Sequence, residues 1–414
     1  GSAYTYTYVT MGEVVAWMVG WVLVLEYGVA SAAVAISWSE YLNKLLTETI
    51  GMAIPFEWCH SPFQFAADGT QGIINIPAFF VIIMLSLLLI RGTNQSVMLN
   101  NIMVVVKVGI VLAFIAIGWQ YIMPANHVPY LPENIGETKF INGEVGFWEY
   151  LTGIDFGKFG YSGIVSGAGI IFFAFIGFDA VSTAAQEAKN PKRDMPIAIL
   201  GSLGICTVLY ILFGHVLTGV TNYQEFGTVG KEASVVYAIE TYMKDYSWLS
   251  LLITVAILSG FTSVILVMLL GQSRVFFTMS QDGLLPPVFS ALHPKFKTPY
   301  KSNLIFLVFA GLIAGLLPGE VVGAMTSMGT LFAFALVCLG VLILRKTDPD
   351  RHRAFKTPLV PFVPILGIVV CVVMMAGLGM GNVVRLVLWM GAGFVIYYTY
   401  SIKNSVVRKQ NMKK

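Results

Sequence analysis

Apolar residues in this chain gather into runs of about 20, separated by shorter polar stretches. Ten runs are long enough to cross a bilayer as helices: 12–36, 73–90, 99–122, 164–185, 197–220, 248–272, 302–318, 321–344, 359–380 and 383–402. Each is rich in Leu, Ile, Val, Phe and Gly, and none alternates with the period of two that a membrane barrel strand needs. The pattern therefore predicts an all-α membrane protein. Glycines and Asp179 interrupt the run at 164–185.

Composition narrows the class. Of 414 residues, 57% are hydrophobic and 11% charged, where soluble domains carry about a quarter charged. A water-facing surface cannot be built from 25 basic and 22 acidic side chains, and the same apolar excess excludes disorder. The net charge of +3 and the lack of a basic, aromatic-laced patch exclude nucleic acid as a partner. Cys59, Cys206, Cys338 and Cys371 form no Cys-x-x-Cys pair, so neither a disulfide framework nor a metal site is expected. The sequence holds no P-loop, zinc-protease or nucleophile-elbow motif and calls for no cofactor. With the N-terminus inside, the inner loops hold 18 of the 25 Lys and Arg. That satisfies the positive-inside rule and predicts cytoplasmic termini.

Charges within the runs need a reason, since each costs at least ~2.5 kcal/mol to insert. Glu26 lies near the centre of the first run, as either a proton carrier or a structural carboxyl hydrogen-bonded between helices. Lys107 lies about 12 Å into the third run. Either its stem snorkels back to the surface, or it loads and releases a proton, or its charge stands in for a bound ion. Thr262 and Ser263 either coordinate an ion or bond to the carbonyl four residues earlier. His215 reads as a packed core histidine. The fourth run, Gly167 through Ala180, is either a bent helix or one broken at mid-membrane, where exposed main-chain groups would bind a polar substrate. Asp194 is expected to cap the run that follows.

Several strings then carry a resemblance. They include Leu25-Glu26-Tyr27-Gly28, Phe172 through Glu187, Asn190-Pro191, Gly271-Gln272-Ser273-Arg274, Asp282-Gly283-Leu284-Leu285-Pro286 and Gly329 through Phe334. The chain resembles the amino acid–polyamine–organocation transporters, in particular their cationic amino acid transporter branch. The resemblance implies a LeuT-like inverted-repeat helix bundle. Residues 1–163 would be the remainder of the first repeat, 164–344 the second, 359–402 two further helices and 403–414 a cytoplasmic tail. The family's first two helices would fall before Gly1, leaving ten of an expected twelve in this sequence.

Position by position, the resemblance implies that main-chain groups of Phe173, Ala174 and Ile176 hold the substrate's amino group at the break around Gly177. Phe173 would also gate the site from outside, and Met268 would shape the side-chain pocket. Lys107 would occupy the place of an ion, facing Thr262 and Ser263, with Glu26 beside it. Function follows as proton-coupled uptake of L-amino acids, cationic ones included, by alternating access in the cell membrane. An amino acid or polyamine exchanger and a non-transporting amino acid sensor stay open as alternatives. So does the presence of a small membrane partner.

Overall fold

The computed structural model describes residues 3–134, 147–152, 159–184, 189–226, 234–350, 353 and 355–411. Lys139, Lys158 and Lys231 of the expected outer loops, and Gln186 and Glu187 of the family string, lie outside them. Regular structure among the described residues is helical, apart from one isolated bridge between Phe65 and Gln71.

The first part of the chain gives α1 (Ala3–Met11), α2 (Glu13–Leu23), α3 (Ala30–Ile50), α4 (Ile76–Arg91), α5 (Thr93–Gly118) and α6 (Gly160–Ile171). The remainder gives α7 (Pro191–Val220), α8 (Ser234–Tyr242), α9 (Trp248–Gln281), α10 (Tyr300–Leu316), α11 (Gly319–Thr347), α12 (Phe362–Ala376) and α13 (Met380–Ile396). Seven segments are long and apolar enough to cross a membrane: Glu13–Ile50, Asn100–Tyr121, Gly160–Ser182, Pro191–Val220, Trp248–Gln281, Gly319–Thr347 and Met380–Gln410. Three shorter apolar helices, α4, α10 and α12, stand where the sequence predicts the other runs.

Several boundaries differ from the sequence reading: α5 starts at Thr93, six residues before its run, and α9 continues to Gln281, nine past its run. The first run does not stop near residue 36. Its helix continues to Ile50 through the polar stretch, where Lys44 and Glu48, one turn apart, pair at 3.4 Å. Likewise α7 starts at Pro191, six residues before the apolar run, with Asn190 as its N-cap residue. Asp194 is therefore not the cap; its carboxylate reaches back to accept the Asn190 N–H at 3.2 Å. Proline in the first helical position fits this start, since its missing N–H has no intrahelical partner to lose.

The main core lies where α3, α4, α9, α10 and α11 meet, around Val29, Ile82, Ile265, Ala314 and Leu331. A second cluster joins α1, α2 and the C-terminal end of α9 through Trp17, Tyr27, Phe276 and Met279. Indole rings tie α2 to α13. Trp21 stacks on Trp389 at 4.7 Å, and each indole N–H donates to the other residue's carbonyl, at 2.8 and 3.2 Å. Side chains such as Val105, Val387 and Leu388 point outward, as expected of helices whose outer faces meet lipid rather than water.

Candidate functional site

Between α2 and α3 the helix does not run straight. Residues Val24–Val29 form a π turn, and Glu26, Tyr27 and Gly28 are all fully buried within it. Such insertions widen the helix locally and recur at functional sites. Across from them, the run after α6 is broken. A 3-10 turn, Phe172–Phe175, ends at Ile176, whose backbone is extended. Gly177 then takes φ +108°, a conformation that an L side chain resists. A second 3-10 turn, Asp179–Ala184, follows. Of the two sequence readings, the broken helix is the one adopted.

The two irregular segments meet. The Tyr27 hydroxyl donates to Asp179 Oδ2 at 2.6 Å. The Glu26 carboxyl lies within hydrogen-bonding reach of the Asp179 carboxyl. Both acids are buried, and neither Glu26 oxygen nor Asp179 Oδ1 receives a donor among the described residues. Two ionised carboxylates side by side offer only acceptors, so a hydrogen bond between them requires one proton. In the sequence Glu26 and Asp179 stand apart, one an acid near the centre of the first run and the other an interruption of the fourth, and nothing in it pairs them.

Met268 of α9 is buried, with its methyl 2.8 Å from where a Gly177 Cβ would stand. The structure thus brings Met268, Ile176 and Gly177 together. Phe173 packs partly buried against the main core. Two of the break's carbonyls are already engaged. Phe173 O accepts the Ile176 N–H at 3.2 Å, and Ala174 O accepts the Tyr210 hydroxyl at 2.7 Å. Tyr210 was not anticipated from the sequence.

Lys107 lies elsewhere. It is half-buried on α5, its Cδ 3.0 Å from where a Gly260 Cβ would be. Gly28, in the turn that carries Glu26, meets α9 at Gln272 instead. Twelve residues along a helix is about 18 Å, so Lys107 and Glu26 meet α9 at well-separated levels. The expected neighbour of Glu26, Lys107, is replaced by Asp179. Thr262 bonds back to Leu258 O at 2.7 Å, as the plainer sequence reading has it, and also accepts the Trp38 indole N–H at 3.1 Å. Ser263 donates to Asn100 Oδ1 at 2.5 Å, joining α9 to the Lys107 helix. His215 stacks on His127 at 4.5 Å, in line with a packed histidine.

A buried carboxyl pair beside a broken helix in a bundle of apolar spans suits a carrier, and the family match decides the matter. The amino acid permease family matches residues 1–400. The chain belongs to that family. This permease is 39% identical to the branched-chain amino acid permease BcaP of Bacillus subtilis, over 98% of its own length and 80% of the relative's. It is 36% identical to the methylthioribose transporter of the same organism, over 99% and 81%. To mouse cationic amino acid transporter 4 it is 31% identical, over 86% of its own length and 52% of the relative's. These relatives are permeases and transporters rather than enzymes, and the apolar spans make this permease a multi-pass membrane protein.

Proposed function

We propose that this permease takes up L-amino acids together with protons, by alternating access across the cell membrane. Both termini lie in the cytoplasm, and the three shorter apolar helices complete ten crossings. The two irregular segments belong to opposite repeats of a LeuT-like bundle, one within residues 1–163 and the other within 164–344.

The observation that carries this reading is the Glu26–Asp179 pair. It links the π turn of one segment to the chain just beyond the break in the other. With a proton the pair is a hydrogen bond and draws the two together. Without it, two like charges face each other where little water screens them, and they repel. Proton gain and loss thereby bias the position of the half-helix that begins at Asp179. Substrate binds at the adjacent break, its ammonium taking main-chain carbonyls of the Phe173–Ile176 turn in place of the Tyr210 hydroxyl on Ala174. Lys107 supplies a fixed positive charge at the α5–α9 interface, where Thr262 and Ser263 offer hydroxyls from α9.

The wall at the break is apolar: Phe173, Ile176 and Met268. Asp179, the acid nearest the break, already accepts from Tyr27. That wall suits an apolar side chain better than a cationic one, and the branched-chain relative points the same way.

The test is uptake of radiolabelled leucine by the full-length protein in proteoliposomes under an inward proton gradient, with arginine as competitor. Gradient-stimulated leucine uptake, weakly inhibited by arginine, is the expected result. Uptake confined to vesicles preloaded with amino acid would make it an exchanger. Saturable binding without flux would make it a sensor.

A further inference from the structure

The π turn that carries Glu26 needs support from outside its own helix, because widening the turn disrupts the regular ladder of backbone bonds. The support comes from Gln272 of α9. This side chain is fully buried, and its Oε1 accepts the Gly28 N–H at 3.2 Å. The approach is close: a Cβ on Gly28 would stand 3.4 Å from that same oxygen. The Gly28 carbonyl is closed from the other side by the Ser31 hydroxyl at 2.7 Å. Next to Gln272, the Tyr27 ring packs beside Gly271, at ordinary contact distance, 3.7 Å, from where a Cβ would be.

Three consecutive residues are therefore held at once. Gly28 is held through its backbone by Gln272, while Tyr27 and Glu26 meet the Asp179 carboxyl through their side chains. In an α-helix, neighbouring side chains diverge by about 100°, which makes it hard for both to reach one carboxyl. The wider turn reduces that divergence. Gln272 Nε2 has no acceptor among the described residues, and both Glu26 oxygens lack a donor. The carboxamide is thus fixed by one end only, at the Gly28 amide.

We propose that Gln272 is a positioning residue for the proton site: by accepting the Gly28 N–H it holds the π turn open and sets the direction in which Glu26 and Tyr27 face Asp179. The inference rests on the reading of the Glu26–Asp179 pair as the proton site.

The test compares Gln272→Met, which keeps bulk but removes the acceptor, with Gln272→Glu, which keeps an acceptor oxygen. Each is made in the full-length protein and assayed in proteoliposomes for proton-gradient-driven uptake and for counterflow exchange of leucine. Glu26→Gln is run in parallel. Gln272→Met is expected to lower the ratio of gradient-driven to counterflow uptake about tenfold, the factor that ~1.4 kcal/mol of lost positioning produces. It is also expected to displace the pH profile, and Gln272→Glu to restore most of the ratio. A Gln272→Met protein that loses both modes in step with the amount of folded protein overturns the inference. So does one that matches wild type while Glu26→Gln is uncoupled. If Glu26→Gln itself still follows the gradient, the proton-site reading falls, and the inference falls with it.

Discussion

Tyr27 and Asp179 are 152 residues apart in sequence, yet the tyrosine hydroxyl donates to the aspartate Oδ2 at 2.6 Å in the buried interior. This bond joins the widened turn of the α2–α3 helix to the first residue of the 3-10 turn beyond the break. Removing it with Tyr27→Phe keeps the ring against Gly271 and takes away only the donor. A buried acceptor deprived of its partner costs about 1–3 kcal/mol. The expected outcome is a lower unfolding temperature in detergent and a displaced pH profile of uptake. A Tyr27→Phe protein with wild-type melting and pH behaviour would show that the bond holds nothing.

Glu26→Gln tests the partner acid. The amide is permanently neutral and still offers an N–H to Asp179, so the protein is expected to fold. It can no longer release a proton. Leucine exchange is expected to become insensitive to pH between about 5 and 8, and an imposed gradient to stop stimulating uptake. Asp179→Asn is a harsher change: it keeps an acceptor for Tyr27, but it alters the residue that begins the turn after the break. Stimulation by the gradient in either variant argues that the proton binds elsewhere.

Gly177 combines a positive φ with the Met268 methyl only 2.8 Å from its would-be Cβ. Gly177→Ala therefore meets two costs. The left-handed backbone costs roughly 1–2 kcal/mol, and the methionine end must move. Methionine is flexible, so Gly177→Ala with Met268→Ala relieves the second cost and leaves the first. The single variant is expected to raise KM for leucine about tenfold, and the double variant to recover part of that. Equal KM values in the two variants would place Met268 outside the substrate's reach.

Much of the bundle was legible because apolar length is a local property. Seven of the ten runs fall on segments long and apolar enough to cross a membrane, one of them broken at Ile176–Gly177, and three on shorter apolar helices. The ends were less legible. Helix α3 continues past the end of its apolar run, through a polar stretch in which Lys44 and Glu48 pair one turn apart. For α7, the cap is Asn190 rather than Asp194, since Pro191 already fits the first helical position. At the site, Glu26 and Asp179 were conspicuous as buried charges, whereas their pairing depends on how a π turn and a broken helix meet. The role of Gln272 could not be read from its neighbours in sequence, because its bond is to an amide 244 residues away.

Asp282, just past the C-terminal end of α9, provides a pH test outside the spans. Burial, the largest influence, and the Glu13 charge push its carboxyl above the ordinary carboxylate range, while the Tyr4 hydroxyl bond at 2.7 Å pulls it back. A carboxyl raised in the folded state binds more protons there than in the unfolded chain. Its contribution to stability is therefore full below the ordinary value of about 3.9 and is lost as pH rises through the folded one. Asp282→Asn removes that slope. Unfolding temperatures of the two proteins, measured from pH 4 upward, are expected to diverge in favour of the variant. Parallel curves would mean that Asp282 titrates normally.

The end of the bundle where α2 begins is tied by one carboxylate. Glu13, at the start of α2, accepts from the Tyr397 hydroxyl at 2.8 Å, from Arg408 Nε at 2.9 Å and from the Ser405 hydroxyl. Arg408 also donates to the Tyr397 oxygen at 3.1 Å, and the Val406 N–H bonds to Asp282 O at 3.0 Å. The segment after α13 is thus fastened to the starts of α2 and of the loop after α9. The parts differ in weight. The Arg408 side chain is 42% exposed against 10% for Glu13, so the ion pair is screened and contributes ~1 kcal/mol or less. The Tyr397 hydroxyl belongs to a fully buried residue and loses its acceptor outright when Glu13 is removed. Glu13→Ala is therefore expected to destabilise by about 1–3 kcal/mol, and to expose the chain around Ser405 to limited proteolysis. Arg408→Ala is expected to cost less and to leave the segment protected. If Arg408→Ala proved as damaging as Glu13→Ala, the ion pair rather than the buried hydroxyls would be what fastens the tail.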